Sequence, residues 1–588
     1  MQGLRNHLRY GASSAQPGNG KRHVSETSFA GGHIQDFDEA AADVLIVGSG
    51  AAGLMAALRA HYQGLSPLII EKSDKAGGAT AYSGGAAWIP NNHLQTQHGI
   101  RDSPEMALTY LNNLIGDVGE GSTIRRRQAY VDNSPKMVQF LADQGFRWIM
   151  SEGYSDYHPN IEGSLDQGRT IESKVFNFRK LGKFRKHMNV NPRYPLPPVY
   201  AYEAGQVTRA ITSIKASGVL LRLAARWAVN LLLLREPVTL GHATAGQLVM
   251  LNLQQQTPIW LSTSLEELVL DNEGAVIGAI VKKDGQSVRI CAKHGVVLCA
   301  GGFAKNQEMR ESYQQKPTDS RWSSAPPYDN GDAIRAGIKV GAATALMDDA
   351  WWGPTMMEGN QWPYFALWDR ARPFSIIVDS AGDRFMDEAE SYVDAVHHQY
   401  ERHTKVKAIP AWMIVDSNYR KRYSIGSVPP RTSGRKAIRD GFLFKADTLD
   451  ELASKIGVNA EGLQRTVTRW NEMSKSGVDL DYGRGSNSYD HFFGDPTNKP
   501  NPNMGAISTG PFYAVKIYPG DLGTKGGLLT DEHARVLDSQ GKTIQGLYAS
   551  GNTTASVMGR RYAGAGATIG PALTFSFIAV DHIANQRK

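Results

Sequence analysis

The sequence predicts an α/β protein in which a parallel-sheet domain, split along the chain, carries an inserted α+β lobe. Three observations predict it. Asp43-Val-Leu-Ile-Val47 is a short apolar run followed by Gly48-Ser-Gly-Ala-Ala-Gly53, a helical stretch and a second apolar run, Pro67-Leu-Ile-Ile70. Such short apolar runs suit buried parallel strands. Near Trp351 the texture changes to a dense cluster of Trp351, Trp352, Met356, Met357, Trp362, Tyr364, Phe365 and Trp368. Near its end the chain returns to a strand, Gly546-Leu-Tyr-Ala-Ser550, and to the glycine-rich run Gly559–Pro571 with an apolar helical stretch, Ala572–Ala579, behind it. The expected division is a tail over 1–40, the sheet domain over 41–351 and 522–588, and the inserted substrate lobe over 352–521.

At 588 residues the chain exceeds what one core usually covers, so more than one lobe is expected. A hydrophobic share of 41% and a charged share of 21% belong to an ordinary globular protein. The net charge of +7 is spread along the chain with no run of five basic residues, so there is no nucleic-acid footprint. Cys291 and Cys299 are the only cysteines, which rules out a disulfide framework and a cysteine-only metal site. As strand thiols they point to a reducing, cytoplasmic compartment, and no metal is expected. Residues 1–40 lack apolar periodicity and the apolar core of a secretory signal, and read as a disordered tail.

Each part of the first unit has a mechanical reason. Gly48 makes the turn, Gly50 admits a pyrophosphate and Gly53 lets helix and strand pack closely. Glu71 stands 23 residues after Gly48, at the end of the second strand, where a carboxylate can accept hydrogen bonds from ribose hydroxyls. Strand, G-x-G-x-x-G, helix, strand and acid together make a Rossmann-like dinucleotide-binding domain. A second bare run, Gly77-Gly-Ala-Thr-Ala-Tyr-Ser-Gly-Gly85, follows at once. An NAD domain has no need of it, whereas FAD must be cradled along its ribityl and flavin portion. The expected cofactor is therefore FAD. It is expected to be non-covalent, because no His or Cys stands in the Thr80–Gly85 loop. Leu265–Ala300 alternates as a β-meander with turns at 272–274 and 284–285, closing on Gly295–Ala300 and the pair Gly301-Gly302.

Between these elements, Ser134–Gln144 reads as a helix with Ser134 as N-cap and Pro135 in its first turn. Gly153–Pro159 reads as an aromatic loop. Val219–Leu234 is apolar except for Arg222, Arg226 and Asn230, which share one helical face. Two arginines make a membrane span untenable. The stripe fits either an interfacial helix, giving peripheral membrane association, or a helix packed on the protein with its polar stripe outward. In the inserted lobe, Ser375–Asp379 and Ala411–Asp416 read as strands, and Thr448–Ile456 and Ala460–Ser476 as helices. Gly559–Pro571 holds four glycines and three alanines among thirteen residues, with Tyr562 standing in a bare backbone.

The combination resembles the 3-ketosteroid Δ1-dehydrogenases, of the fumarate reductase/succinate dehydrogenase type of FAD flavoprotein, from about Asp43 to Asn585. The residues that carry the resemblance include Gly48–Gly53, Ser83-Gly-Gly85, Ser155-Asp-Tyr157, Asp348–Trp352, Arg384-Phe-Met-Asp-Glu388, Asp521–Gly527 and Gly559–Gly570. The resemblance implies FAD contacts at Gly48, Ser49, Gly50, Ala51, Ala52 and Gly53 and at Glu71 and Lys72. It implies others at Gly78, Ala79, Thr80, Ser83, Gly84 and Gly85, at Ala300, Gly301 and Gly302, and at Asn552, Thr568 and Ile569. It also implies catalytic roles. Tyr562 and the Gly566 N–H hold a 3-keto oxygen, Tyr392 takes the proton from C2, Tyr157 assists Tyr392, and flavin N5 accepts the hydride from C1. His158 stands where family members often carry a second tyrosine.

The chemistry independently asks for such groups. A C–H beside a ketone becomes removable only when oriented donors stabilise the charge forming on the oxygen. A phenol, with an ordinary pKa of about 10, is a poor base unless a neighbour favours its anion. The implied partners are a hydrophobic polycyclic ketone, steroid or tetracyclic triterpenoid, and a quinone-like electron acceptor. Rival readings are a 3-ketosteroid 4-dehydrogenase, a fumarate-reductase-like enzyme on a small dicarboxylate, and a flavin-binding redox sensor. The dense Trp and Met cluster suits a large apolar ligand better than a dicarboxylate.

Overall fold

The computed structural model describes residues 38–191, 198–207, 214–359 and 362–587. Of the tail expected over residues 1–40, residues 1–37 lie outside them. β1 spans Asp38–Val47, α1 Ala51–Tyr62 and β2 Pro67–Ile70. β1 begins five residues before the apolar run, so residues 38–40 are strand. The reason is backbone pairing: Asp38–Ala42 run parallel to Val288–Ala292, and ladder hydrogen bonds recruit a stretch whose side chains carry no strand signal.

The first lobe is an eight-stranded sheet. Its main order is Arg535–Leu537, Thr543–Ala549, Gln286–Leu298, β1, β2 and Ile259–Trp260. Strands Thr543–Ala549, Gln286–Leu298, β1 and β2 are parallel neighbours. The meander forms as its turns predict, with Thr263–Leu270 and Val276–Lys283 antiparallel beside Gln286–Leu298. Cys291 is half-buried in that last strand and Cys299 is buried just beyond it.

Two helices differ from expectation in extent, for one shared reason. The helix expected from Ser134 runs over Ile124–Asp143, N-capped by Thr123, with Pro135 inside it. The C-terminal helix runs over Ile569–Gln586 rather than Ala572–Ala579. The two pack on each other. Tyr130, Val131, Ser134, Met137, Val138 and Leu141 form a buried stripe on the first, and burial along that stripe outweighs the roughly 3 kcal/mol that an interior proline costs.

The second lobe holds a six-stranded sheet of Tyr364–Phe365, Ala350–Met356, Phe512–Thr524, Ala411–Val415 and Ser375–Val378, with Phe444–Ala446 beside Phe512–Thr524. Helices Leu449–Ile456 and Ala460–Ser476 cover it, capped by Thr448 and Asn459. Strand Phe512–Thr524 carries this sheet across residue 521 and delivers Gly523–Gly527 to the junction with the first lobe.

Helix Ile214–Leu232 departs from the expected orientation of its polar stripe at Arg226, while Arg222 is exposed as expected. Arg226 does not face outward. It turns into the protein, donating to Glu203 at 2.7 and 2.8 Å and to the Pro198 carbonyl at 2.7 Å. Val219 and Leu223 seat the same side. The apolar side is the one left in solvent, with Leu221 73%, Trp227 50% and Leu232 82% exposed. A remote carboxylate, buried Glu203, decides which face turns inward. Among the described residues, no helix is long and apolar enough to cross a membrane.

Candidate active site

The glycine loops converge at the carboxyl edge of the parallel strands, where dinucleotides bind in such sheets. Gly48 has φ +106°, and a Cβ there would meet the Cys299 carbonyl at 2.4 Å and Ala300 Cα at 3.0 Å. A Cβ on Gly53 would fall 1.9 Å from the Gly48 carbonyl oxygen, so only glycine lets α1 start so close to the turn. Gly50, by contrast, faces open space, its nearest neighbour Thr80 Oγ1 at 3.8 Å. Ala51 and Ala52 open α1 and are buried. Glu71 accepts from the Ser49 amide at 3.0 Å, the Ser49 hydroxyl at 2.6 Å and the Ser73 amide at 2.9 Å, which orients the carboxylate at the loop. Lys72 reaches away to Asp332, 2.6 Å from its carboxylate.

α2, Gly78–Tyr82, is tied to this loop because the Ala51 amide donates to Thr80 Oγ1 at 3.0 Å. Ala79 lies half-buried on α2. The Ser83 hydroxyl donates to the Thr80 carbonyl and accepts from the Gly85 amide, at 2.8 and 3.0 Å. A Cβ on Gly84 would meet nothing within 4 Å. The Gly302 amide donates to Asp329 at 2.6 Å, and the Gly301 carbonyl accepts from Thr553 at 3.0 Å. Asn552 accepts from the Trp351 indole at 3.0 Å. Thr568 caps the C-terminal helix by position without a side-chain cap bond, and Ile569 is that helix's first residue. Backbone left bare at Gly50 and Gly84, between loops held rigidly by their neighbours, fits FAD.

Beside this cradle the structure brings together three of the tyrosines. Tyr157 donates to the Tyr392 hydroxyl at 3.3 Å. The rings of Tyr157 and Tyr562 stack at 5.1 Å, and those of Tyr392 and Tyr562 lie 5.2 Å apart. Tyr392, the Thr568 side chain and the Gly566 N–H all face the Tyr562 oxygen and favour its anion, although burial outweighs them and raises its pKa. Burial pushes Tyr392 and Tyr157 well above the ordinary phenol value, Tyr157 opposing this at Tyr392 through its hydrogen bond.

Local structure explains why these residues meet. Tyr392 opens helix Tyr392–His403. The turn before it is anchored by a buried ion cluster, with Arg384 donating to Glu388 at 2.7 Å and to Asp479 at 2.8 Å while Arg484 shares Glu388. Tyr157 lies in an irregular loop held by Asp156, which accepts from Trp88 and Arg169, both at 2.7 Å. The Ala563 carbonyl then takes the Tyr157 amide at 3.0 Å and the Tyr110 hydroxyl at 2.7 Å. The tyrosine loops at 157 and 562 are thus fastened backbone to backbone. Asp394 joins them to the helix of Tyr392, bonding Arg561 at 2.7 Å and lying 3.4 Å from His158 Nε2. Burial is the main cause holding His158 below its usual pKa.

Two further tyrosines belong to the cluster and escaped the sequence reading. Tyr154 lies 3.4 Å from the Tyr157 hydroxyl, and Tyr489 packs on the Tyr157 ring at 4.6 Å. Tyr154 stands in the loop that composition marks as aromatic. Tyr489, on helix Ser488–Phe493, had no signal. Phe365 meets Tyr392 edge-on at 5.1 Å and Trp351 meets Tyr562 edge-on at 5.1 Å, so further aromatic rings wall the cluster. Among the described residues, no group of His, Cys, Asp and Glu could hold a metal.

The model of the FAD binding domain family matches residues 43–569. The chain is 42% identical to a 3-oxosteroid 1-dehydrogenase of Mycobacterium tuberculosis, covering 94% of this chain and 99% of that protein. It is 35% identical to a 3-oxosteroid 1-dehydrogenase of Comamonas testosteroni, over 92% and 96% of the two chains. The crystal structure of 3-ketosteroid delta1-dehydrogenase from Sterolibacterium denitrificans, in complex with 1,4-androstadiene-3,17-dione, matches with a TM-score of 0.88 at 39% identity, covering 93% of this chain and 100% of that one. The chain is therefore an FAD-dependent oxidoreductase and belongs to the 3-ketosteroid Δ1-dehydrogenase family.

Proposed function

We propose that the protein introduces a C1–C2 double bond into a 3-keto steroid or a related tetracyclic triterpenoid. The observation that carries this reading is the meeting of the Tyr392, Tyr157 and Tyr562 side chains, with the Gly566 N–H facing the Tyr562 oxygen. FAD supplies the hydride acceptor, its N5, when bound. Tyr562 and the Gly566 N–H donate to the 3-keto oxygen and stabilise the charge that forms there as the C2 proton leaves. Tyr392 takes that proton. Tyr157, donating to Tyr392, lowers the cost of the phenolate against the burial that opposes it. The buried aromatic walls exclude water and suit a flat polycycle. A quinone-like acceptor reoxidises the cofactor.

The test is C2-deuterium exchange into a 3-keto steroid, with the FAD kept reduced so that hydride transfer is blocked. Wild-type protein should exchange and Tyr392→Phe should not, while still binding the ligand. Exchange at the wild-type rate in Tyr392→Phe would assign the base elsewhere. The product of anaerobic single turnover then distinguishes a 1,2- from a 4,5-double bond.

A second reading concerns where the substrate is met. The exposed Leu221, Trp227, Leu232 and Leu234, with Arg222 and Arg235 on the same segment, favour peripheral attachment to a lipid surface, from which an apolar ketone is drawn.

A further inference from the structure

Gly523–Gly527 carries a lysine that the proposed chemistry does not use. Lys525 is wholly buried, and burying an ammonium is costly unless it is paired and hydrogen-bonded. Its pairing is incomplete. Nζ stands 3.5 Å from Asp349 Oδ2 and finds no hydrogen-bond acceptor among the described residues. Asp349 is already engaged through Oδ1, which accepts from the Trp352 indole at 2.6 Å and the Ala350 amide at 3.0 Å and bonds His397 Nε2 at 2.8 Å. Backbone bonds fix the lysine in place. Its amide donates to the Asp349 carbonyl at 3.1 Å, and its carbonyl accepts from the Ser556 amide at 3.0 Å.

The position of this under-used cation is specific. It lies over the Trp351 ring at 5.0 Å, and Trp351 meets Tyr562 edge-on at 5.1 Å. Lys525 and Trp351 line one narrow crevice with Asn552, Thr568 and Ala572. Gly551 lines it too, and a Cβ there would lie 3.5 Å from Ala52 of the dinucleotide loop. Through Gly551 and Trp351 the crevice adjoins the start of α1 on one side and the Tyr562 ring on the other. The other cation lining it, Arg126, donates to the carbonyls of Gly121 and Ala555.

We infer that Lys525 is an electrostatic partner of the flavin ring, its free N–H donors and positive charge stabilising the ring as it gains negative charge. The inference rests on the FAD-dependent reaction proposed above. It adds a residue that sets how readily the ring accepts a hydride, apart from those that handle the substrate. Burial pushes Lys525 down to about 8, with Asp349 opposing, which leaves it cationic at neutral pH.

The experiment uses the holoprotein and sulfite, a small nucleophile that adds to flavin N5 and leaves the ring anionic. Lys525→Met should weaken sulfite binding at least tenfold and lower the flavin midpoint potential by ~30 mV or more, the two-electron equivalent of that tenfold change. Lys525→Arg should keep most of both. Because Lys525→Met strands a buried carboxylate, Lys525→Met with Asp349→Asn removes both charges and should show the same loss in a folded, FAD-loaded protein. Sulfite affinity and potential unchanged in either loaded methionine variant would overturn the inference and leave Lys525 as a counter-ion of Asp349. A wild-type protein that binds sulfite tightly yet is not reduced by a 3-keto steroid would strike the proposed reaction instead.

Discussion

The FAD cradle and the tyrosine cluster adjoin each other, yet they are made of opposite materials. The cradle is backbone. Gly48 and Gly53 allow approaches of 2.4 and 1.9 Å that any Cβ would occupy, and Gly50 and Gly84 leave the loop bare. The cluster is side chain. Tyr157, Tyr392, Tyr489 and Tyr562 come from a loop, two helices and a second loop, and each is packed among rings. The difference teaches what each can tolerate. A backbone site fails by steric exclusion and fails completely, whereas a side-chain site fails one function at a time.

The largest effect expected from this contrast is at Gly53. Gly53→Ala places a Cβ on the Gly48 carbonyl, so α1 must shift and the purified protein should lose its flavin absorbance outright. Retention of stoichiometric FAD would break the contrast. Next is Tyr392→Phe, which keeps the ring and its packing. Turnover should fall by roughly 10² to 10⁴, the usual worth of a positioned base, with the ligand-induced change in flavin spectrum retained. Tyr562→Phe should lose about 2.7–4 kcal/mol of transition-state stabilisation, by analogy with a lost oxyanion donor. It should also weaken 3-keto ligands relative to 3-deoxy ones, read as separate changes in kcat and KM. The smallest effect on chemistry is expected far from both regions. Leu221→Asn with Leu232→Asn should reduce co-sedimentation with anionic vesicles several-fold and leave turnover of detergent-dispersed substrate unchanged. Arg226 is a poor probe of the same question, because Arg226→Glu would set two carboxylates against each other at Glu203. Unaltered co-sedimentation of the double variant would remove the lipid reading.

The same contrast explains what was legible in the sequence. Glycine spacing is local, so strand, turn, helix and acid from Asp43 to Glu71 could be read in order, and the meander turns at Asp284-Gly285 likewise. Tyr392 and Tyr562 carry no spacing rule and stood out only through the motifs around them. Tyr489 had none. The Ala563 carbonyl, which takes both the Tyr157 amide and the Tyr110 hydroxyl, is invisible by nature, since every residue has a carbonyl. Pro135 hid the part of its helix that precedes Ser134, which tertiary packing sustains. Arg226 was misdirected because its partner, Glu203, lies 23 residues away and only the fold brings them together.

The fastening at Ala563 has a mechanical consequence. Tyr157 and Tyr562 are held as one body, since their loops share a backbone hydrogen bond of 3.0 Å and stacked rings. Tyr392 belongs to a different body. Its hydroxyl reaches Tyr157 across 3.3 Å, and its helix is tethered to that pair through Asp394, by Arg561 and His158. The joint of the assembly therefore lies between Tyr392 and the Tyr157–Tyr562 pair, and it is bridged by one hydroxyl contact and one carboxylate. A change at Asp394 therefore acts on the spacing between Tyr392 and that pair and leaves the fastening of the two loops to each other intact.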